Sequence, residues 1–462
     1  MFVVLAGGES AARLLAFLTT AVLARRLGAA SFGLLSIAIA VRLYLNTVVE
    51  GGIDSVGMRE ASVNPAFAAT VAPALLVIRM TVAIAVAVIG GIAALTILPE
   101  PEGALIAAYG LALLPFALNL RWLVVGLGNA IAPAGARLAG EALILGAVLL
   151  FLREPGDVAT MPLVQFLGEA AAALVLAGVA RRVIGPLPRA AWSIARPYLH
   201  ESRQLVLHAW LGLVIFNADL LLVRLFRTPA ETGQYAVAYT IIGFLVNLGV
   251  VYYQSLLPAL SNQLGLVAGG RGRYAHALEQ VLLAAVPLAV GGVVIAGPLI
   301  QAIFGDGYVA SAAPFAILVV SIPASWLRNV AQAGQVASRR SDALVKTSAV
   351  AAALNLGLNL WLIPIYGLPG AATATLCTEV IRTLIALGWS RTLGLPFPSL
   401  RFWWRPVLAS GVMYAGIRAV GANLPVPAVI LTGGVLYLLA LAPIGGLRRL
   451  VRGDPAAPPA PD

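Results

Sequence analysis

Cysteine, histidine and acidic side chains are scarce in this chain. Its 462 residues include one cysteine, Cys377, so no disulfide can form within it. The three histidines, His200, His208 and His276, are too scattered for the ligand spacing of a zinc site. No glycine-rich segment ends in the Lys-Ser/Thr of a phosphate-binding loop, so no ATP hydrolysis and no cofactor are expected of the chain itself. Charged residues of both signs make up 11%, far below what covers a soluble protein of this length. No basic segment outside the apolar runs is long enough for a nucleic-acid surface, so no nucleic acid is expected as a partner.

What is abundant is apolar. Hydrophobic residues reach 60%, and the mean hydropathy is +0.94. A bilayer core is crossed by a helix of about 20 residues. Fourteen runs of that kind follow one another, from 3–24 and 33–55 to 404–421 and 426–446. They are too long and too uniformly apolar for the alternating strands of a membrane barrel. The expected fold is therefore all-α, a polytopic integral membrane protein. Its first run is longer than a signal-peptide core and lacks a basic leader, so it is expected to stay as a span.

The short links set the orientation. With the N-terminus inside, the inner links and tail hold seventeen arginines and lysines, among them Arg59, Arg181, Arg182, Arg189, Arg203, Arg405 and Arg448, against six outside. A bias near three to one puts both termini in the cytoplasm. The acidic link residues Glu100, Glu102, Glu154, Asp157, Glu231 and Asp306 fall on the other side.

The halves repeat. "LARRLGAASFGLLSIAIAV" in spans one and two parallels "LLVRLFRTPAETGQYAVAYTI" in spans seven and eight, with Arg26-Leu27 matching Arg224-Leu225 and Gly33 matching Gly233. Glu169 in span six and Glu379 in span twelve occupy one repeat position. Six spans per repeat is an even number, so the two halves insert with the same orientation. The expected organisation is an N-lobe over 1–185, a cytoplasmic linker over 186–203 and a C-lobe over 204–395. Two appended spans over 396–447 and a disordered Pro/Ala-rich tail over 448–462 follow.

Arginines interrupt this lipid-suited pattern. Arg13, Arg42, Arg79, Arg121, Arg328 and Arg382 lie well inside apolar runs. A charge there costs about 2.5–3.5 kcal/mol on insertion scales, so such residues face a bundle interior or a watery cavity. Guanidinium forks lining a cavity suit phosphate.

The ordered segments resemble the polysaccharide-export and oligosaccharide flippases of the multidrug/oligosaccharidyl-lipid/polysaccharide exporter superfamily. "LARRLGAASFGLLSIAIAV" is similar to that family's first loop, and "EGGIDSVGMREAS", with Gly51, Gly52 and Arg59, to the end of its second span. "NADLLLVRLFRTPAETGQYAVAYTI", with Asp219, Gly233 and Tyr235, is followed by "LLPALS", and "FGDGYVASAAPFAIL" and "ASRRSDALVKTSAVAAALNLGLNLWLIPIYGLPGAATAT" complete the order. The resemblance implies two parallel six-helix lobes around a central cavity, with two helices appended. It implies transfer of an undecaprenyl-pyrophosphate-linked glycan across the bacterial cytoplasmic membrane, driven by an ion gradient such as H+ or Na+. Membrane lipids and other polysaccharide-assembly proteins are the further expected partners. A peptidoglycan-precursor flippase, a drug/cation antiporter and a membrane glycan polymerase are the alternatives.

Within that frame the candidate cargo residues are Arg13, Arg42, Asn46, Asp219, Arg328 and Gln332, and the candidate ion-coupling carboxylates are Glu9, Glu50, Asp54 and Asp219. Glu9 and Arg13 are one helical turn apart and can pair. Arg42, Asn46, Glu50 and Asp54 form a polar stripe at intervals of four. Ser321, Ser325, Arg328, Gln332 and Gln335 share one face of span ten, which suits either sugar hydroxyls or interhelical hydrogen bonds. Glu169 and Glu379 are expected to make matching structural contacts, with Arg382 pairing to Glu379.

Overall fold

Hydrocarbon offers no hydrogen bonds, so each backbone N–H and C=O has to be satisfied within its own segment, and helices do this. The computed structural model describes residues 2–129, 131–185, 218–261, 269–338, 342–420 and 424–451. Among them there is no strand, and helices follow one another with short breaks. Two compact units divide the chain, Met1–Ala236 and Val237–Asp462. The expected linker 186–203 and most of the expected seventh span, with His208 and Asn217, lie outside the described residues.

In the first unit, α1 (Phe2–Glu50) has 49 residues. At 1.5 Å per residue that is about 75 Å, more than twice a bilayer core of ~30 Å. Gly28 resolves the excess. Its φ of 70° is open to glycine, and the break there turns one helix into the two traverses expected from the sequence. There follow α2 (Ile53–Val63), α3 (Pro65–Ile97), α4 (Glu102–Gly110), α5 (Leu113–Ala117) and α6 (Arg121–Gly126). Then come α7 (Ile131–Phe151), α8 (Met161–Ile184) and α9 (218–226). The α1 helix packs on α7, α7 on α8, and α3 on α4. The fourth traverse, α4 to α6, is broken twice, near Leu111 and over Leu118–Leu120.

The second unit begins within α10 (Pro229–Ser261) and continues with α11 (Gly269–Val294), α12 (Ala296–Phe304), α13 (Ala312–Val319) and α14 (Ile322–Ala337). The 51-residue α15 (Asp342–Thr392) is split at Gly367, whose φ is 61°. The appended pair is α16 (Leu400–Val420) and α17 (Val426–Leu441), closed by α18 (Gly446–Val451). The expected tail 448–462 is thus helical at its start, and 452–462 lies outside the described residues. Eight helices are long and apolar enough to cross a membrane, nine with the pair Asp306–Val319 and Ile322–Ala337, bent by 40°. The breaks at Gly28 and Gly367 and the appended pair carry the described traverses to thirteen, with the seventh of the expected fourteen mostly outside the described residues.

Large apolar side chains point outward along these helices. Ile89 is 69% exposed, Leu431 70% and Leu174 73%, a surface that only lipid can cover. The chain is a multi-pass membrane protein. Helix ends that would leave carbonyls bare are closed by arginine. Arg26 donates to the carbonyls of Val148, Leu149 and Leu152 at the last turn of α7.

The repeat is visible where its matched glycines meet. A Cβ on Gly33 would run into the carbonyl oxygen of Pro229 and the amide of Gly233, and a Cβ on Gly233 into the carbonyl of Ala29 and the amide of Gly33. The obstacle on each side is backbone four residues before the partner glycine, so the crossing is reciprocal. Gly243, by contrast, has open space around its missing Cβ. Gly33→Ala is expected to destabilise the protein by roughly 1–3 kcal/mol or more, because backbone cannot yield. Gly243→Ala should leave thermal unfolding in detergent unchanged or raise it slightly.

Candidate functional site

A cavity of about 450 Å³ opens inside the first unit, a volume within the range of ligand pockets. Its wall is drawn from six traverses. Thr19, Thr20, Arg42 and Glu50 come from α1, Asp54 from α2, Arg79 from α3, Asn119 and Arg121 from the broken fourth traverse, Arg137 and Glu141 from α7, and Gln165 and Glu169 from α8. Small residues make the room. Gly140 and Gly168 face each other across α7 and α8, where a Cβ on Gly140 would press on the Gly168 carbonyl and one on Gly168 on Ile144.

The charges in this wall balance. Arg42, Arg79, Arg121 and Arg137 stand against Glu50, Asp54, Glu141 and Glu169. Glu50 and Asp54 were among the residues singled out in the sequence, and the fold adds Glu141 from α7 and Glu169 from α8. Arg42 Nη1 donates to Glu169 Oε1 at 3.0 Å, and Gln165 Nε2 donates to the same oxygen at 3.2 Å. The Arg42 Nε atom is buried without an acceptor. Glu50 and Asp54 stand one turn apart around the Gly51-Gly52 break, and both line the cavity.

Arg79 explains the broken fourth traverse. Unwinding at Leu118–Leu120 frees carbonyls inside the helix bundle, and Arg79 takes them. Its Nη1 donates to Asn119 O at 3.1 Å and its Nη2 to Phe116 O at 3.2 Å, while Nη1 also meets Asp54 Oδ1 at 2.8 Å. The guanidinium lies 5.6 Å from the Phe116 ring centroid and its residue is 1% exposed. The Asn119 side chain closes the other edge of the break by accepting from Arg121 N.

The other candidates separate. Asn46 is buried on α1 with its Oδ1 unpartnered, next to the cavity-lining residues in sequence but outside the lining itself. Arg13 is half-buried and also outside the lining, and the Glu9 side chain lies outside the described residues, so their pairing has no description here. Asp219 is fully buried and accepts from Tyr235 Oη at 2.7 Å and from Leu220 N at 2.9 Å. Arg328 and Gln332 belong to the second unit and do not line this cavity. Each Arg328 nitrogen is engaged, Nε with Glu379 Oε2, Nη1 with Gln332 Oε1 and Nη2 with Ser325 Oγ. The stripe on span ten is therefore a helix–helix seam. Gln335 Nε2 donates to Ala386 O, and Thr383 Oγ1 to Ala324 O.

The repeat position behaves differently in the two units. Glu379 accepts from Arg328 and also from Arg382 at 3.2 Å, as the i,i+3 spacing foretold. Glu169 accepts from Arg42 instead. The contacts expected to match do not. Sequence reasoning passed over Arg137, Glu141 and Gln165 as site residues. The pairs Arg137/Glu141 and Gln165/Glu169, each four apart in an apolar run, carried the signal.

Residues 2–263 match a family described as polysaccharide biosynthesis protein. No curated protein sequence matches the chain. Among solved structures it is similar to a lipid II flippase MurJ in an inward closed conformation, with TM-score 0.81, 13% identity, and 97% of this chain and 100% of the other covered. An inward-facing multidrug resistance MATE family transporter of the MOP superfamily aligns with TM-score 0.64 and 14% identity, over 82% of this chain and 94% of that one. A MOP superfamily transporter from Pyrococcus furiosus, described as having a binding pocket of reversed polarity, aligns with TM-score 0.57 and 13% identity, over 85% and 94%. The fold is that of these transporters.

Arg79→Ala is expected to cost about 3–5 kcal/mol, since it leaves Asp54 without its guanidinium and two carbonyls without a donor inside the bundle. Monodisperse protein should be lost on extraction. Thr20→Ala, in the same cavity wall, should extract like the parent.

Proposed function

Because this chain belongs to the polysaccharide biosynthesis protein family, we propose that it is a flippase for an undecaprenyl-pyrophosphate-linked oligosaccharide. The cargo moves from the cytoplasmic to the outer leaflet of the bacterial cytoplasmic membrane by alternating access, with both termini of the protein inside. The observation that carries this reading is a polar, charge-balanced cavity within an otherwise apolar helix bundle. Sugar hydroxyls are uncharged donors and acceptors, and alternating guanidinium, carboxylate and amide groups replace their water on both counts. The pyrophosphate is assigned to Arg42, whose Nε has no acceptor. A cavity without net negative charge is poorly suited to gather cationic drugs.

The Glu50–Asp54 pair is assigned to the coupling proton. A proton held there tips a balanced cavity to one positive charge, and its release restores balance. Anion binding and proton loading then favour each other electrostatically. Asp219, engaged by Tyr235, is left with a structural part.

A second reading is supported by the MurJ neighbour: the cargo is a peptidoglycan lipid precursor. Proteoliposomes loaded with either lipid-linked glycan separate the two. Faster transfer of the oligosaccharide form is the expected result, and transfer of lipid II alone would overturn the proposal. In that assay Arg42→Ala is expected to lower the rate at least about tenfold, the loss of one charge-assisted contact. Arg42→Lys should recover part of it, because lysine keeps charge but not two-point geometry. An unchanged rate in both would remove Arg42 from the cargo path.

Orientation has its own test. In a Cys377→Ala background, Gly156→Cys is expected to react with an impermeant maleimide from outside, and Arg189→Cys only after permeabilisation. The reverse pattern would invert the topology.

A further inference from the structure

The appended pair contains no acid of its own: there is no Asp or Glu between Glu379 and Asp454. One end of the pair nevertheless gathers four arginines, Arg401 and Arg405 on the first turns of α16 and Arg448 and Arg449 on α18. They borrow a single carboxylate from α11. Arg405 Nη1 donates to Glu279 Oε1 at 2.8 Å, and Arg449 Nη1 to Glu279 Oε2 at 2.7 Å. Arg405 Nε also holds the carbonyl of Ile444, and Gln280 reaches the carbonyl of Leu450, so α18 is tied down at both ends. Glu279 is 4% exposed and fully used by two guanidiniums. Four positive charges against one negative leave this end cationic.

Its surroundings are those of a membrane–water boundary. Arg401 lies one turn before Arg405 on the same face of α16, and Arg401, Arg448 and Arg449 are exposed. Beside them stand apolar groups open to the outside, Leu400 at 86% and Trp404 at 45%. Arg405 sits 4.8 Å from the Trp404 ring centroid. A soluble anion has no use for that apolar collar, whereas a phospholipid presents a phosphate next to acyl chains. Tryptophan is favoured at that depth, and interfacial arginines attract anionic lipid.

We propose that this end of the appended pair is a headgroup site for an anionic phospholipid. Arg401, Arg448 and the free edge of Arg449 take the phosphate, while Trp404 and Leu400 border the acyl chains. Glu279 is the positioning residue. It fixes Arg405 and Arg449 at the boundary, and having one carboxylate for two guanidiniums it leaves charge over for the lipid.

The test uses the full-length protein in detergent, titrated with phosphatidylglycerol or phosphatidylcholine, with bound lipid counted by native mass spectrometry. Phosphatidylglycerol should be retained preferentially. The double variant Arg401→Gln/Arg448→Gln keeps the Glu279 clamp, so the fold is preserved. It should lose that preference by about fivefold for each arginine removed. Arg418→Gln, at the opposite end of α16, should keep it. A double variant that retains the preference, or an Arg418→Gln variant that loses it equally, would overturn the proposal. So would displacement of the lipid by inorganic phosphate at equal concentration, which would mark an anion site indifferent to lipid.

Discussion

An arginine inside a membrane bundle must meet a carboxylate or a bare carbonyl, and the architecture follows from where each one meets it. Arg79 finds Asp54 and the unwound carbonyls of the fourth traverse. Arg42 finds Glu169. Arg328 and Arg382 share Glu379, and Arg224 donates to Glu102 at 2.5 Å. The Arg42–Glu169, Arg224–Glu102 and Arg328–Glu379 pairings join helices that lie far apart in sequence. Burying either charge alone would cost several kcal/mol, so these contacts specify which helices adjoin as much as they stabilise them.

The two units use the carboxylates at the matched positions 169 and 379 differently. The carboxylate at the repeat position is kept in both. In the second unit two arginines close on it, one of them also donating to Gln332, in a packed seam. In the first unit its partner comes from α1, and the polar groups border a cavity. In the second unit the charges of this seam are paired across helices, and in the first the polar groups line a cavity. The reciprocal Gly33–Gly233 crossing shows that the symmetry itself persists where backbones touch.

The proposed work of the protein rests on this difference. A cavity with equal numbers of guanidiniums and carboxylates can exchange water for hydroxyls without holding a strong net charge in lipid. In the proposed mechanism a proton taken up by Glu50 and Asp54 shifts that balance by one unit. At the far end of the chain the same accounting of charge runs the other way. The appended helices bring arginines without acids, and Glu279 satisfies them only in part.

The span pattern and the membrane class were legible in the sequence, because apolar run length is a one-dimensional property. So was the pairing of Glu379 with Arg382, which needs only the geometry of one helix. The partners of Arg42, Arg79 and Arg328 were not legible, since each lies on another helix and no spacing rule reaches across a bundle. For the same reason Arg328 and Gln332, which look like a cargo-facing stripe, belong to a seam, and Arg137 and Glu141, which drew no notice, line the cavity. A sequence reports that a helix has a polar face. Only the packing of helices decides whether that face meets a neighbour, lipid or an open space.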